Sequence, residues 1–152
     1  MHFASDHIAQ TLDARRSTDG PFSYWTEVRP RFFSGFHRSI ASFASAGNDL
    51  IVDHLIEFAS WRDELRQLLT GLDVFLVGVH CSLEELERRE VARGDRRIGE
   101  AREHVVDDKI HQLGPYDFEV NSTARTPESL ADEVVAAWLH RKAPSALFTD
   151  SK

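Results

Sequence analysis

The sequence predicts an α/β domain built on a parallel sheet. Short apolar runs with little polar alternation, "DLIVD" (Asp49 to Asp53) and "DVFLVGV" (Asp73 to Val79), have the character of strands buried on both faces. A third run, "YDFEV" (Tyr116 to Val120), is a weaker strand because it alternates. Helical patterns lie between and after these runs, and strands that alternate with helices build right-handed βαβ units.

Taken in order, "HFASD" reads as the tail of a strand ending at Asp6, followed by a helix over "HIAQTLDARR". The stretch from Asp13 to Pro30 is polar and punctuated by Gly20, Pro21 and Pro30, yet it carries Phe22, Tyr24 and Trp25. A long loop with aromatic residues is expected to serve binding, because loops held by a rigid scaffold carry most functional residues. The segment "RFFSGFHRSIASFASAG" is an amphipathic helix presenting Phe32, Phe33, Phe36, Ile40 and Phe43 and ending near Gly47. In "SWRDELRQLL", Trp61, Leu65, Leu68 and Leu69 fall at helical spacing before Gly71. "SLEELERREVAR" opens with Ser82 and Glu85, a capping box. "TPESLADEVVAAWLHR" has Thr126 as cap, Pro127 at the first helical position, and Leu130, Val134, Ala137 and Trp138 on one stripe. A single domain is expected over residues 1–142, and "APSALFTDSK" (143–152) reads as a flexible tail.

Composition narrows the function. A chain of 152 residues with 41% hydrophobic content suffices for one core. Its 25 acidic against 18 basic residues, a net charge of −7, argue against nucleic acid as a partner. One cysteine, Cys81, excludes an internal disulfide and fits a reducing compartment. No run is apolar for long enough to span a bilayer, and "MHFASDHIAQ" lacks the pattern of a signal peptide, so a cytoplasmic location without membrane contact is expected. The eight histidines show no zinc-like spacing. His54 and His80 read as strand-end packing residues, and Cys81 as a small core hydrophobe.

In a parallel α/β sheet, ligands bind outside the carboxyl ends of the strands. Asp53 follows "LIV" at such an end, where an aspartate binds Mg²⁺ at a nucleotide site or else caps the next helix. Asp6 is either a general base for an attacking hydroxyl or the N-cap of the helix that follows. Arg89, Arg93, Arg96 and Arg97 gather past the second apolar run. Arg88 and Arg89 have acidic partners in Glu84 and Glu85 at i, i+4, whereas "RGDRR" lacks regular acidic partners, and there anion binding is the favoured reading.

The runs "AGNDLIVD", "LDVFLVGVHC", "EVARGDRRIGEA" and "YDFEVNST", in this order and spacing, resemble the chloramphenicol phosphotransferase-like kinases, from about Phe3 to Leu139. The resemblance implies a three-layer α/β/α parallel sheet of P-loop kinase type and ATP-dependent transfer of phosphate to a hydroxyl of a small, chloramphenicol-like acceptor, an antibiotic-resistance activity. It implies Asp6 as catalytic base, Arg93 and Arg96 as lid arginines facing the phosphates, and Asp53 near Mg²⁺. Arg89, Arg97, Asn121, Ser122 and Thr123 would border the nucleotide, and Phe22, Tyr24 and Trp25 fall where the acceptor pocket is expected.

One element of the pattern is absent. A P-loop kinase uses G-x-x-x-x-G-K-[ST] to cradle the phosphates, and the lysines here, Lys109, Lys142 and Lys152, follow no such loop. The family's first strand, phosphate loop and first helix would precede Phe3. The expectation is therefore a sheet incomplete at the N-terminus, whose open edges could favour a homo-oligomer, and a chain that is inactive or impaired by itself. The alternatives are a non-catalytic small-molecule-binding protein, or a kinase for another acceptor such as a nucleoside or sugar.

Overall fold

The structure is a computed structural model that describes residues 1–5, 8, 23–93, 98–107 and 109–149. In chain order its elements are β1 (His2–Ala4), α1 (Ser23–Ser45), β2 (Ile51–Asp53), α2 (Ala59–Leu68), β3 (Val77–His80) and α3 (Leu83–Arg93). A short helix, α4 (Glu100–Arg102), runs into a π-helical turn (Glu103–Asp107) and a 3-10 turn (Ile110–Gln112). Then follow β4 (Phe118–Asn121), α5 (Pro127–Leu139) and a last 3-10 turn (Ala146–Phe148). The class is α/β and the pairing is parallel, as expected. Where one sheet is predicted, however, the described strands form two parallel pairs, β1 with β2 and β3 with β4. Contacts divide the chain into two compact units, Met1–Leu55 with Gln67–Leu72, and Ile56–Arg66 with Asp73–Lys152. No helix among the described residues is long and apolar enough to cross a membrane.

In the first unit, α1 starts at Ser23 and contains Pro30, so Tyr24 and Trp25 lie on a helix rather than in the predicted loop. An interior proline costs about 3 kcal/mol. That is offset downstream by the stripe Phe33, Phe36 and Ile40, all buried, each contributing roughly 1.5–3 kcal/mol. Phe3 of β1 packs on this stripe, its ring 5.2 Å from Phe36 and 5.5 Å from Phe43. The helix stops at Gly47, whose φ of 87° is the left-handed conformation that closes a helix end. β2 was expected to be buried on both faces, yet Ile51 is 72% exposed. Burial of a parallel strand requires neighbours and covering helices, and β2 has a single ladder partner among the described residues.

In the second unit, β3 pairs with β4 in the register Gly78 to Glu119 and His80 to Asn121. Both strands are offset from the predicted runs. Residues 73–76 stay outside β3, and Tyr116 and Asp117 stay outside β4; the Tyr116 ring lies across Gly78, where a Cβ would come within 2.6 Å of Tyr116 Cδ2. The buried positions of α2 are Leu65 and Arg62. Thr126 caps α5 as predicted, its hydroxyl accepting from Ser129 N at 3.3 Å with Pro127 next in the chain.

The segment expected to be a flexible tail is packed through Thr149. Leu147 is 1% exposed, Asp117 accepts hydrogen bonds from Ser145 Oγ and Ala146 N, both at 2.6 Å, and Arg66 Nε donates to Leu147 O at 2.9 Å. Composition suggests fraying here, but polar groups from elsewhere in the chain satisfy this backbone.

Candidate functional site

The carboxyl ends of β3 and β4 are joined by a knot of side chains. Ser82 caps α3 through Glu85 N at 3.4 Å, which is one half of the predicted capping box. The other half is replaced: Ser82 N donates to Thr123 Oγ1 at 2.8 Å, and Glu85 turns to the arginines. Asn121 Oδ1 accepts from Thr123 N at 3.0 Å and from Thr123 Oγ1 at 2.6 Å. Ser122 is buried, and its hydroxyl donates to His80 O at 3.0 Å.

Arg89 completes the knot. Its Nε donates to Glu85 Oε1 at 2.7 Å, Nη1 to Ser122 Oγ at 3.2 Å and Nη2 to Ser122 O at 2.7 Å. Glu85, bound by Arg88 and then Arg89, has its carboxyl pulled down to about 2. Arg89 and Ser122 thus spend their polar atoms on the protein itself. The Asn121 amide nitrogen and Arg93 have no partner among the described residues. Arg93 edges a cleft of about 410 Å³, lined also by Leu86, Arg88, Arg89, Glu90, Ala92 and Ala101.

Glu90 is a residue that sequence reasoning passed over. It is buried, and its carboxylate accepts from Gly99 N at 2.6 Å and Ala101 N at 2.9 Å, which ties the chain beyond the arginine cluster back to α3. The available signal was spacing, since Glu90 lies one turn from Leu86 on the inner face of α3.

In the first unit, Asp53 ends β2 opposite Ala4 and is exposed. It does not cap the next helix, because α2 begins at Ala59. Beside it, His54 Nε2 shares a hydrogen with His37 Nε2 at 2.9 Å, and its Nδ1 is 3.4 Å from Ser5 Oγ. Phe33 and Phe36 pack on the His54 ring at 5.6 and 5.1 Å. Here the expected packing role of His54 is what the geometry displays.

The structure therefore brings together Arg89, Asn121, Ser122 and Thr123, with Arg93 at the end of α3, in one unit, and places Asp53 in the other. Asp6, Phe22, Arg96 and Arg97 lie outside the described residues, and of Tyr24 and Trp25 only the helical backbone is described. No three His, Cys, Asp or Glu side chains converge as a metal site among the described residues.

The family model for chloramphenicol phosphotransferase-like proteins matches residues 1–139. The chain belongs to the chloramphenicol phosphotransferase-like family. As a member of that family, it is also similar to two Mycobacterium tuberculosis proteins, from strains CDC 1551 and H37Rv, each named "Putative O-phosphotransferase". Each is 36% identical over 98 residues, 64% of this chain and 43% of the relative, so the match spans less than half the length of those proteins.

Proposed function

We propose that the protein is an ATP-dependent O-phosphotransferase acting on a hydroxyl of a small, chloramphenicol-like molecule, and that residues 1–152 alone are inactive or impaired. The observation that carries the reading is Arg93, free of partners among the described residues at the edge of an arginine-lined cleft, in a chain of this family. Arginine's planar fork suits phosphate oxygens, and a guanidinium not committed to the protein can engage them.

The residues fit the nucleotide in part. Mg²⁺ takes one or two carboxylates and completes its shell with phosphate oxygens and water, so the exposed Asp53 carboxylate at a strand end suits it. The triphosphate would need a glycine and lysine cradle, and residues 1–152 contain no G-x-x-x-x-G-K-[ST] sequence. When bound, the Mg²⁺ nucleotide supplies the phosphoryl group and neutralises charge on it. In this reading Asp6 accepts the proton of the acceptor hydroxyl, and Arg93 and Arg96 offset charge that develops on the transferring group. Arg97 and the Asn121 amide border the nucleotide, while Arg89, Ser122 and Thr123 frame it rather than touch it. Phe22, Tyr24 and Trp25 face the acceptor.

The missing cradle favours one rival, a non-catalytic protein that holds a small aromatic molecule. Calorimetry with Mg²⁺ and ATP on residues 1–152 and on the same chain extended upstream in frame tests both. Binding is expected in the extended form, weakened by Arg93→Ala by about tenfold or more. Turnover of ATP by residues 1–152 at an ordinary kinase rate would refute the impaired reading, and acceptor binding without any nucleotide binding in either form would favour the rival.

A further inference from the structure

One face of the β3–β4 pair carries a chain of titratable groups that the phosphotransferase reading does not use. Paired residues of a parallel ladder share a face and alternate along it, so Gly78, His80, Glu119 and Asn121 point the same way. His80 Nε2 lies 2.6 Å from Glu119 Oε2. The His80 ring meets the His111 ring at 4.0 Å between centroids, tilted by 31°. His111 Nδ1 is 3.1 Å from the Tyr116 hydroxyl, and Tyr116 lies on the strand in the space that Gly78 leaves open.

We propose that Glu119, His80, His111 and Tyr116 form an acid-sensitive clasp that holds residues 110–116 on the β3–β4 face and releases them on acidification. An ionised carboxylate only accepts hydrogen bonds, so His80 Nε2 carries a hydrogen toward Glu119 Oε2. With its hydrogen on Nε2, a neutral His111 accepts from the Tyr116 phenol through Nδ1. A protonated one can only donate there, so the phenol must turn to accept, and its positive charge lies against the His80 ring in a part-buried place. Burial lowers the affinity of His111 for a proton, His80 lowers it further, and Glu119 opposes both weakly. Tyr116 stays a phenol because burial raises its pKa, while Arg62, facing it from α2 among Asp63, Arg66 and Asp117, pulls the other way.

The direction follows from linkage. Above the ordinary histidine range His111 is neutral whether clasped or released, and no preference arises. As pH falls through about 6.5, the released segment takes up a proton that the clasped one refuses, so release gains. The inference is independent of the phosphotransferase reading, since it invokes neither nucleotide nor acceptor.

Hydrogen exchange of the whole chain at about pH 7.5 and about pH 5, corrected for intrinsic rates, tests it together with the ring-proton titration of His111. Protection of residues 110–116 is expected to fall by about tenfold more than that of β3 and β4. His111→Gln should remove this extra fall, and His80→Gln should shrink it while raising the His111 titration midpoint. The proposal is overturned by equal protection at both pH values, by acid loss spread evenly over the chain, or by either variant behaving as the parent.

Discussion

The two parallel pairs are held by different physics. β1 and β2 rest on an aromatic stripe of α1, where Phe36 touches Phe3, His37 and His54. β3 and β4 are tied by directional polar contacts from distant parts of the chain: Asp117 Oδ2 accepts from Leu76 N at 2.6 Å, Thr123 accepts from Ser82, and Arg89 spans to Ser122. Apolar packing is tolerant of direction and leaves a strand free to be exposed along its edge. Hydrogen-bonded strand ends fix loop positions closely, which is what a ligand site at those ends requires.

The sharpest way to break this contrast is Phe36→Ala. Truncating a buried phenylalanine should cost about 3–5 kcal/mol, and hydrogen exchange should show the loss of protection in β1, α1 and β2. Equal loss across β3 and β4 would mean that the two pairs do not depend on separate cores. Asp117→Ala is the counterpart for the polar region. It removes the acceptor for Leu76 N, Ser145 Oγ and Ala146 N and should cost about 2–3 kcal/mol in urea unfolding, with exchange rising first in the turn at Ala146–Phe148. A neutral outcome there would place the stability of the second unit in its apolar contacts instead.

The smallest effect concerns Glu85. Its carboxyl is held down to about 2 by Arg88 and Arg89, so any stability it adds is present above the ordinary carboxylate value near 4.5 and is lost as pH falls from there through about 2. Glu85 is half-buried but both arginine partners reach solvent, so the effect should be slight and shrink further in salt; comparison of the parent with Glu85→Gln between neutral pH and about pH 3 would measure it. A large salt-independent difference would show that the Glu85, Arg89 and Ser122 knot acts as one cooperative unit.

The class, the parallel pairing and the helix caps at Ser82 and Thr126 follow from local rules, since caps and periodicity depend on neighbours a few residues apart. The stop at Gly47 is equally local. The start of α1 was not readable in the same way: proline breaks a helix by default, and only the buried stripe beyond it outweighs that cost. Nor was the fate of the 145–149 segment, whose order comes from Arg66 and Asp117, far away in sequence.

The arginines divide along the same line. The reading of them as an anion-binding group rests on spacing and on the fork geometry of the side chain, properties of a single stretch. That Arg89 is consumed by Ser122 while Arg93 has no partner among the described residues, that Glu90 anchors the chain beyond them, and that His80 meets His111 were decided only by tertiary structure. Hydrogen bonds between residues distant in the chain depend on which surfaces meet, and no local pattern encodes that.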